Sequence, residues 1–328
     1  MSVLRVFILD DFEDQASRVP AYELLRGRAE VTILKERLDT LEKLSDRLRG
    51  ADAILLMRER TPFREAELAA VPGLKFISQT GRTTAHLDVA AATRRGIPIA
   101  YTPSDNGRST TELTIGLILA LLRRIPEVDR RMREESWPAV TGRMLQGKTA
   151  GVIGFGRIGR QVARILKVFD ARVLAYSRTL TPEKAAEAGV ECVSLETLLR
   201  ESDVLSVHVP LNASTRGLIG EKELALVKPG ALLVNTARGP LVSERAMVEA
   251  LRSGRLGGVA LDVYDVEPLP LDHPLRRFDN AILLSHRGYA TEEVLRERYE
   301  QAITNILKFM DGRPVDLLNP EVLESTRG

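Results

Sequence analysis

The most constraining feature of the chain is Gly154-Phe155-Gly156-Arg157-Ile158-Gly159, which follows the apolar run Ala150–Ile153 and opens an amphipathic stretch, Arg157–Phe169. Glycines at this spacing have separate tasks. Gly154 permits a tight turn from strand to helix, Gly156 lets backbone approach a pyrophosphate, and Gly159 lets helix pack closely on strand. The N–H groups of Arg157 and Ile158 then point at the anion with the helix dipole behind them. Glycine clusters also make ordinary loops, so the surroundings decide. The strand Thr149–Gly154 is followed by further strand-like runs at Arg172–Tyr176, Val204–His208, Ala231–Asn235, Gly258–Val263 and Ala281–Ser285, with helical spacing between them, as in Ser243–Arg252. Six strands joined by helices predict a parallel dinucleotide-binding sheet.

A weaker series of the same kind precedes it. Leu4–Leu9, Glu30–Leu34, Ala53–Leu56, Lys75–Ser78 and Pro98–Ala100 read as strands, while Asp14–Leu25, Thr40–Leu48, Phe63–Ala70 and Leu87–Thr93 carry helical spacing. The chain is therefore α/β, with two Rossmann-like or flavodoxin-like parallel-sheet domains, and 328 residues suffice for both. Between the series lies an apolar helix, Ser109–Arg124. After them comes a long amphipathic one, Glu292–Phe309, whose position returns the chain to the first domain. The expected boundaries are residues 1–104 with 289–328 for a discontinuous substrate domain, and 105–288 for the cofactor domain.

Composition excludes several classes. A net charge of +2, from 47 Lys+Arg against 45 Asp+Glu, gives no reason to expect nucleic acid as a partner. The one cysteine, Cys192, excludes an intrachain disulfide and cannot make a cysteine-based metal site, so no metal is expected and a reducing cytoplasm fits. The longest apolar stretch, Leu113–Leu122, is about half of what a bilayer-spanning helix needs. Asp10, Asp11 and Glu13 interrupt any signal-peptide pattern at the N-terminus.

The end of the second cofactor strand bears on the dinucleotide. NAD sites usually carry Asp or Glu there, accepting from the ribose 2′-OH. This chain offers Ser177 and Arg178. A hydroxyl and a guanidinium can hold a 2′-phosphate that a carboxylate would repel, which favours NADP(H) over NAD(H). In the alternative, Arg178 is a solvated surface residue and Ser177 serves NAD.

Three segments end successive strands on the carboxyl edge of the sheet, where ligands bind in such folds. They are Asn235-Thr236-Ala237-Arg238-Gly239, Leu261-Asp262-Val263-Tyr264-Asp265-Val266-Glu267-Pro268 and Ser285-His286-Arg287-Gly288. With Leu145-Gln146-Gly147-Lys148-Thr149, His208-Val209-Pro210-Leu211 and Lys228-Pro229-Gly230-Ala231, in this order, nearly the whole chain resembles the D-isomer-specific 2-hydroxyacid dehydrogenases. That family includes phosphoglycerate, D-lactate and glyoxylate/hydroxypyruvate reductases.

The resemblance implies catalytic roles for Arg238, Glu267 and His286, and the chemistry explains the residue types. A guanidinium at Arg238 can hold the carboxylate of a 2-keto acid and polarise its carbonyl. His286 can donate a proton to the alkoxide that forms as hydride arrives, and accept one in oxidation. A carboxylate at Glu267 favours the imidazolium and orients the ring. The resemblance also places His208, Pro210, Thr236 and Asp262 along the cofactor, an interdomain cleft around the reactants, and a homodimer paired through the cofactor domains, with Ser109–Arg124 and Arg130–Glu135 near the contact. The run Arg130-Arg131-Met132-Arg133-Glu134-Glu135 otherwise reads as a solvated helix face. No regulatory extension is expected after the final helix, and Glu rather than Gln at position 267 argues against formate.

Two stretches depart from the family pattern. The substrate loop reads Gln79-Thr80-Gly81-Arg82-Thr83-Thr84-Ala85-His86-Leu87-Asp88, with Thr83 in place of a second glycine and Ala85-His86 in place of Asp-Asn. Backbone N–H groups of Arg82 and Thr83 beside Gly81 can still bind a carboxylate, while the Arg82 side chain either adds a cation or points to solvent. Ser285 and Arg287 flank the histidine where the family has Pro and an apolar residue. A cation from Arg82 or Arg287 would suit phosphorylated or dicarboxylic substrates. His86 reads as core or substrate loop, and His273, in Asp272-His273-Pro274, as a loop residue. Outside this activity stand a non-catalytic nucleotide sensor of the corepressor type and, among enzymes, phosphite oxidation.

Overall fold

A computed structural model describes residues 3–103, 107–134 and 137–324. The chain divides into two compact units, Met1–Asp105 with Thr291–Gly328, and Asn106–Ala290. Among the described residues no helix is long and apolar enough to cross a membrane.

The first unit holds β1 (Leu4–Ile8), β2 (Ala29–Ile33), β3 (Ala53–Leu56), β4 (Phe76–Gln79) and β5 (Ile99–Tyr101), all parallel in the order β2-β1-β3-β4-β5. Every residue of β3 and β4 is buried, which is why β3 reads as an unbroken apolar run and not as alternation, while the polar Ser78 and Gln79 of β4 are buried with hydrogen-bond partners. The C-terminal helix Glu292–Met310 covers β4. Phe76 and Phe309 stack with ring centroids 4.3 Å apart, Ser78 Oγ donates to the Ala302 carbonyl at 2.8 Å, and Asn305 Nδ2 donates to the Tyr101 carbonyl at 3.0 Å. Further on, Asn319 accepts the Ile99 N–H at 2.8 Å and donates to the Ile97 carbonyl at 2.9 Å.

One helix of this unit differs from expectation. Asp14–Leu25 is not continuous: a 3-10 turn, Ala16–Arg18, precedes a helix at Pro20–Arg26. Pro20 has no N–H to continue a helix and holds Val19 extended, with φ −98° and ψ 145°, so the helix can only begin at the proline.

The second unit holds β6 (Thr149–Ile153), β7 (Arg172–Tyr176), β8 (Glu191–Cys192), β9 (Val204–Val207), β10 (Ala231–Asn235), β11 (Leu256–Leu261) and β12 (Ala281–Leu283). They are parallel in the order β12-β11-β10-β9-β6-β7-β8, so strand order reverses between β6 and β9, the point where such sheets bind ligands. The described residues form seven strands here, not six. Only two residues long and at the sheet edge, β8 is too short to show any periodicity.

Helix Arg108–Arg123 buries Thr111, Thr114, Ile118, Leu121 and Leu122, joining the core formed by Val152, Val162 and Leu166. Helix Ile125–Glu134 buries nothing within this chain, and its Arg130 pairs with Asp279 at 2.9 Å. Glu135 lies outside the described residues.

Candidate active site

The glycine turn behaves as its residues require. Gly154 has φ +100°, and a Cβ there would sit 2.6 Å from the His208 carbonyl carbon; one at Gly159 would sit 2.0 Å from the Gly154 oxygen. A Cβ at Gly156, by contrast, would meet nothing within 4 Å. Gly156 caps helix Arg157–Val168 without any side-chain hydrogen bond. Among the described residues no side chain accepts from the first N–H groups of this helix, so its N-terminus fits a pyrophosphate.

Around it, His208 is half-buried. Burial pushes its imidazole down to about 4, and its Nε2 lies 2.8 Å from Ser206 Oγ, so it is a neutral side chain and not a proton donor at neutral pH. The Pro210 carbonyl accepts from Thr215 Oγ1 at 2.7 Å, and the Thr236 hydroxyl is tied to that of Thr114 at 2.9 Å inside the unit. At the end of β7, Arg178 Nη1 donates to Ser214 Oγ at 3.1 Å, with Ser177 beside it in sequence.

Arg238, Glu267 and His286 follow β10, β11 and β12, whose parallel pairing brings the three strand ends to one edge. His286 Nδ1 lies 2.8 Å from Glu267 Oε2, while Glu267 Oε1 accepts the Tyr264 N–H at 3.0 Å. Burial opposes ionisation of Glu267, but the His286 hydrogen bond and charge, the Tyr264 N–H and the charge of Arg238 together hold its carboxyl below the ordinary value. With the carboxylate engaging Nδ1, the proton on that nitrogen is fixed and Nε2 is left for exchange. The Arg238 segment is braced locally: Asn235 Nδ2 donates to the Arg238 carbonyl at 2.9 Å, and Arg238 Nη1 to the Ala237 carbonyl at 2.7 Å.

Asp262 has a use that its sequence position did not disclose. Its two carboxylate oxygens accept the N–H groups of Arg287 at 2.6 Å and Gly288 at 2.7 Å. This clamps the turn in which His286 adopts φ 58°, a left-handed conformation costly for a residue with Cβ. Burial pushes the Asp262 carboxyl up, against the two N–H bonds that lower it.

In the first unit, the expected substrate loop is ordered by Gln79, whose Nε2 donates to the carbonyls of Gly81 and Thr83, both at 3.0 Å. Gly81 has φ +85°, and its N–H donates to Thr102 Oγ1 at 2.9 Å. Among the described residues, hydrogen bonds thus account for the Gly81 donor but not for those of Arg82 and Thr83. The Arg82 guanidinium lies over the Tyr101 ring, 4.5 Å from its centroid, so it is exposed yet held. His86 is buried and its two ring nitrogens have no partner among the described residues; burial pushes it down to about 4, leaving a neutral core side chain. Asp88 caps the next helix through the Ala91 N–H at 2.8 Å.

Two side chains near these groups went unnoticed in the sequence. Arg58, with φ 57°, places its Nη1 where a Cβ on Gly81 would be, 2.7 Å away. Glu244 pairs with His273. Neither belongs to a short motif, so no local signal marks them.

Residues 115–288 match the family model described as D-isomer specific 2-hydroxyacid dehydrogenase, NAD binding domain. The chain is 40% identical over 316 residues to a protein named glyoxylate reductase from Aeropyrum pernix, covering 93% of this chain and 94% of that one. It is 39% identical over 263 residues to one named D-3-phosphoglycerate dehydrogenase from Archaeoglobus fulgidus, covering 80% of this chain and 50% of that longer protein. Among solved structures, a phosphoglycerate oxidoreductase from Vibrio cholerae superposes with TM-score 0.89 at 32% identity, covering 94% of this chain and 100% of that one.

Proposed function

The chain belongs to the D-isomer-specific 2-hydroxyacid dehydrogenases, and from that premise we propose that it reduces small 2-oxo acids to D-2-hydroxy acids, with His286 donating the proton. The observation that carries this reading is the His286 Nδ1–Glu267 Oε2 pair at 2.8 Å, at strand ends adjoining that of Arg238.

A nicotinamide dinucleotide held by the glycine turn supplies or accepts the hydride. The protein's own groups do the rest. Gly154, Gly156 and Gly159, with the N–H groups of Arg157 and Ile158, hold the pyrophosphate. Arg238 holds the substrate carboxylate and polarises the carbonyl, favouring the charge that develops on its oxygen. His286 donates from Nε2 to that oxygen, and Glu267 keeps the ring oriented. In the reverse direction neutral His286 accepts the hydroxyl proton from the same position.

Ser177 and Arg178, the latter tethered to Ser214, favour NADP(H) because the strand end presents a hydroxyl and a guanidinium in place of a carboxylate. In the substrate loop, the N–H groups of Arg82 and Thr83 serve the carboxylate. Arg82, held against Tyr101, adds a cation suited to a substrate with a second anionic group, beside the simpler glyoxylate and hydroxypyruvate. We further propose a homodimer working in a reducing cytoplasm. The test is oxidation of NADPH and NADH in the presence of glyoxylate, hydroxypyruvate, phenylpyruvate and 3-phosphohydroxypyruvate. Turnover of at least one is expected. Cofactor binding without turnover across the panel would instead assign a nucleotide sensor, and reduction of NAD(P)+ by phosphite would assign phosphite oxidation.

A further inference from the structure

The second unit contains another histidine–carboxylate pair, and it is wired in the opposite sense to the first. His273 Nε2 lies 2.5 Å from Glu244 Oε1, while His273 Nδ1 accepts the Leu275 N–H at 3.3 Å. An Nδ1 that accepts must be unprotonated, so the proton is on Nε2 and is donated to Glu244. Both nitrogens are thereby used and none is left to exchange a proton with a ligand. In His286, among the described residues, only Nδ1 is so engaged. The second pair is sealed, which makes it a holding device and not a second acid.

What it holds is the turn that carries Glu267. The other oxygen of Glu244, Oε2, accepts the Asp265 N–H at 3.3 Å. The adjoining Tyr264 N–H donates to Glu267 Oε1, and Gly239 lies against the Tyr264–Asp265 peptide so closely that a Cβ would sit 2.0 Å from the Tyr264 carbonyl carbon. Glu244 is the first residue of helix Glu244–Arg252, packed in the core through Met247 and Leu251, so the latch is anchored on a rigid element. Without His273 the Glu244 side chain, about one-fifth exposed, is free to turn to water and release Asp265.

We propose that His273 and Glu244 are positioning residues for the proton-donating site: through Asp265 they set where Glu267 meets His286. This rests on the reading of Glu267 and His286 given above. The test uses the whole protein and the geometry of the two histidine nitrogens. Asn mimics an Nδ1 and cannot reach Glu244, whereas Gln carries an N–H near the Nε2 position. His273→Asn and Glu244→Ala are expected to lower kcat about tenfold, with KM and the Kd for NADH within about twofold, and His273→Gln to restore most of the loss. In a Glu267→Ala background, His273→Asn should cost nothing further, because the partner it positions is gone. Unchanged kcat in His273→Asn, or an equal loss in both backgrounds, would overturn the proposal.

A second measurement does not depend on turnover. With four histidines in the chain, imidazole nitrogen NMR resolves each ring. His286 should carry its proton on Nδ1 in the native protein, lose that signature in His273→Asn and keep it in His273→Gln. A His286 spectrum indifferent to His273→Asn would refute the latch. Absence of turnover in the native protein, with the spectral change present, would instead refute only the assigned reaction.

Discussion

Gly239→Ala tests how tightly the Arg238 and Glu267 segments are coupled, because it adds a single methyl group where two backbones touch. The added Cβ would lie 2.0 Å from the Tyr264 carbonyl carbon, 2.2 Å from its oxygen and 2.6 Å from the Asp265 nitrogen. Ordinary carbon contacts are about 3.5–4.0 Å, so the two segments must separate by about 1.5 Å. No flexible side chain can absorb this, since everything in the way is peptide. Glu267 is held by the N–H of the same Tyr264, in the peptide just before, and reaches His286 at 2.8 Å. A displacement of such size takes the pair beyond the hydrogen-bonding range of about 3.2 Å. Misplacing reacting groups by about 1 Å costs about a hundredfold in rate, which sets the expected fall in kcat. The overpacking itself costs about 1–3 kcal/mol, lowering Tm by about 2–4 °C per kcal/mol. Steady-state kinetics with the preferred 2-oxo acid, alongside fluorescence titration with NADH, gives the answer. A folded Gly239→Ala protein that keeps kcat within tenfold of the native value would show that the two segments need not move together.

Other outcomes are equally specific. His286→Asn should reduce kcat about 10²–10⁴-fold at neutral pH while cofactor Kd stays nearly constant, and normal turnover would remove the histidine from proton donation. Arg178→Ala should raise the KM for NADPH by about tenfold with that for NADH almost unaffected, and equal effects on both would remove the 2′-phosphate preference. Asp10 is raised by burial to about 6 against its ordinary 3.8, opposed by the Thr61 hydrogen bond and the charge of Arg60, and its Oδ1 has no partner among the described residues. The folded protein then binds this proton more tightly than the unfolded chain, so its contribution is complete below about pH 4 and disappears as pH rises through about 6. Asp10→Asn should flatten that slope and add up to about 3 kcal/mol at pH 7.5. Thermal melts at pH 5 and 7.5 with the native slope retained would refute it.

Much of this was legible because parallel sheets align the ends of their strands. Once Ala231–Asn235, Gly258–Val263 and Ala281–Ser285 are read as successive strands, Arg238, Glu267 and His286 fall along one edge, and short-range reading suffices even though two of these strands end earlier, at Leu261 and Leu283. The glycine turn was legible for the same reason, since each glycine answers to a local contact. What failed was of two kinds. Apolar spacing runs unbroken across Asp14–Leu25, but Pro20 lacks an N–H and the helix begins only there. The pairing of His273 with Glu244, 29 positions away, and the burial of His86 are products of tertiary packing, for which no local pattern exists. Asp262 lay between. Its place at a strand end was readable, but its engagement with the Arg287 and Gly288 N–H groups depends on where β12 stops.

The first unit's use of helix Glu292–Met310 against β4 bears on biosynthesis. On the ribosome, strands β1 to β5 emerge early, but the stacked partner of Phe76, the acceptor for Ser78 and the Asn319 side chain that caps β5 all come last. Residues Asn106–Ala290 can complete their own sheet during translation, while the N-terminal sheet waits half-covered through most of synthesis. Until then the face of β4 that Phe309 and Ala302 later cover stays open to a chaperone or an aggregating neighbour.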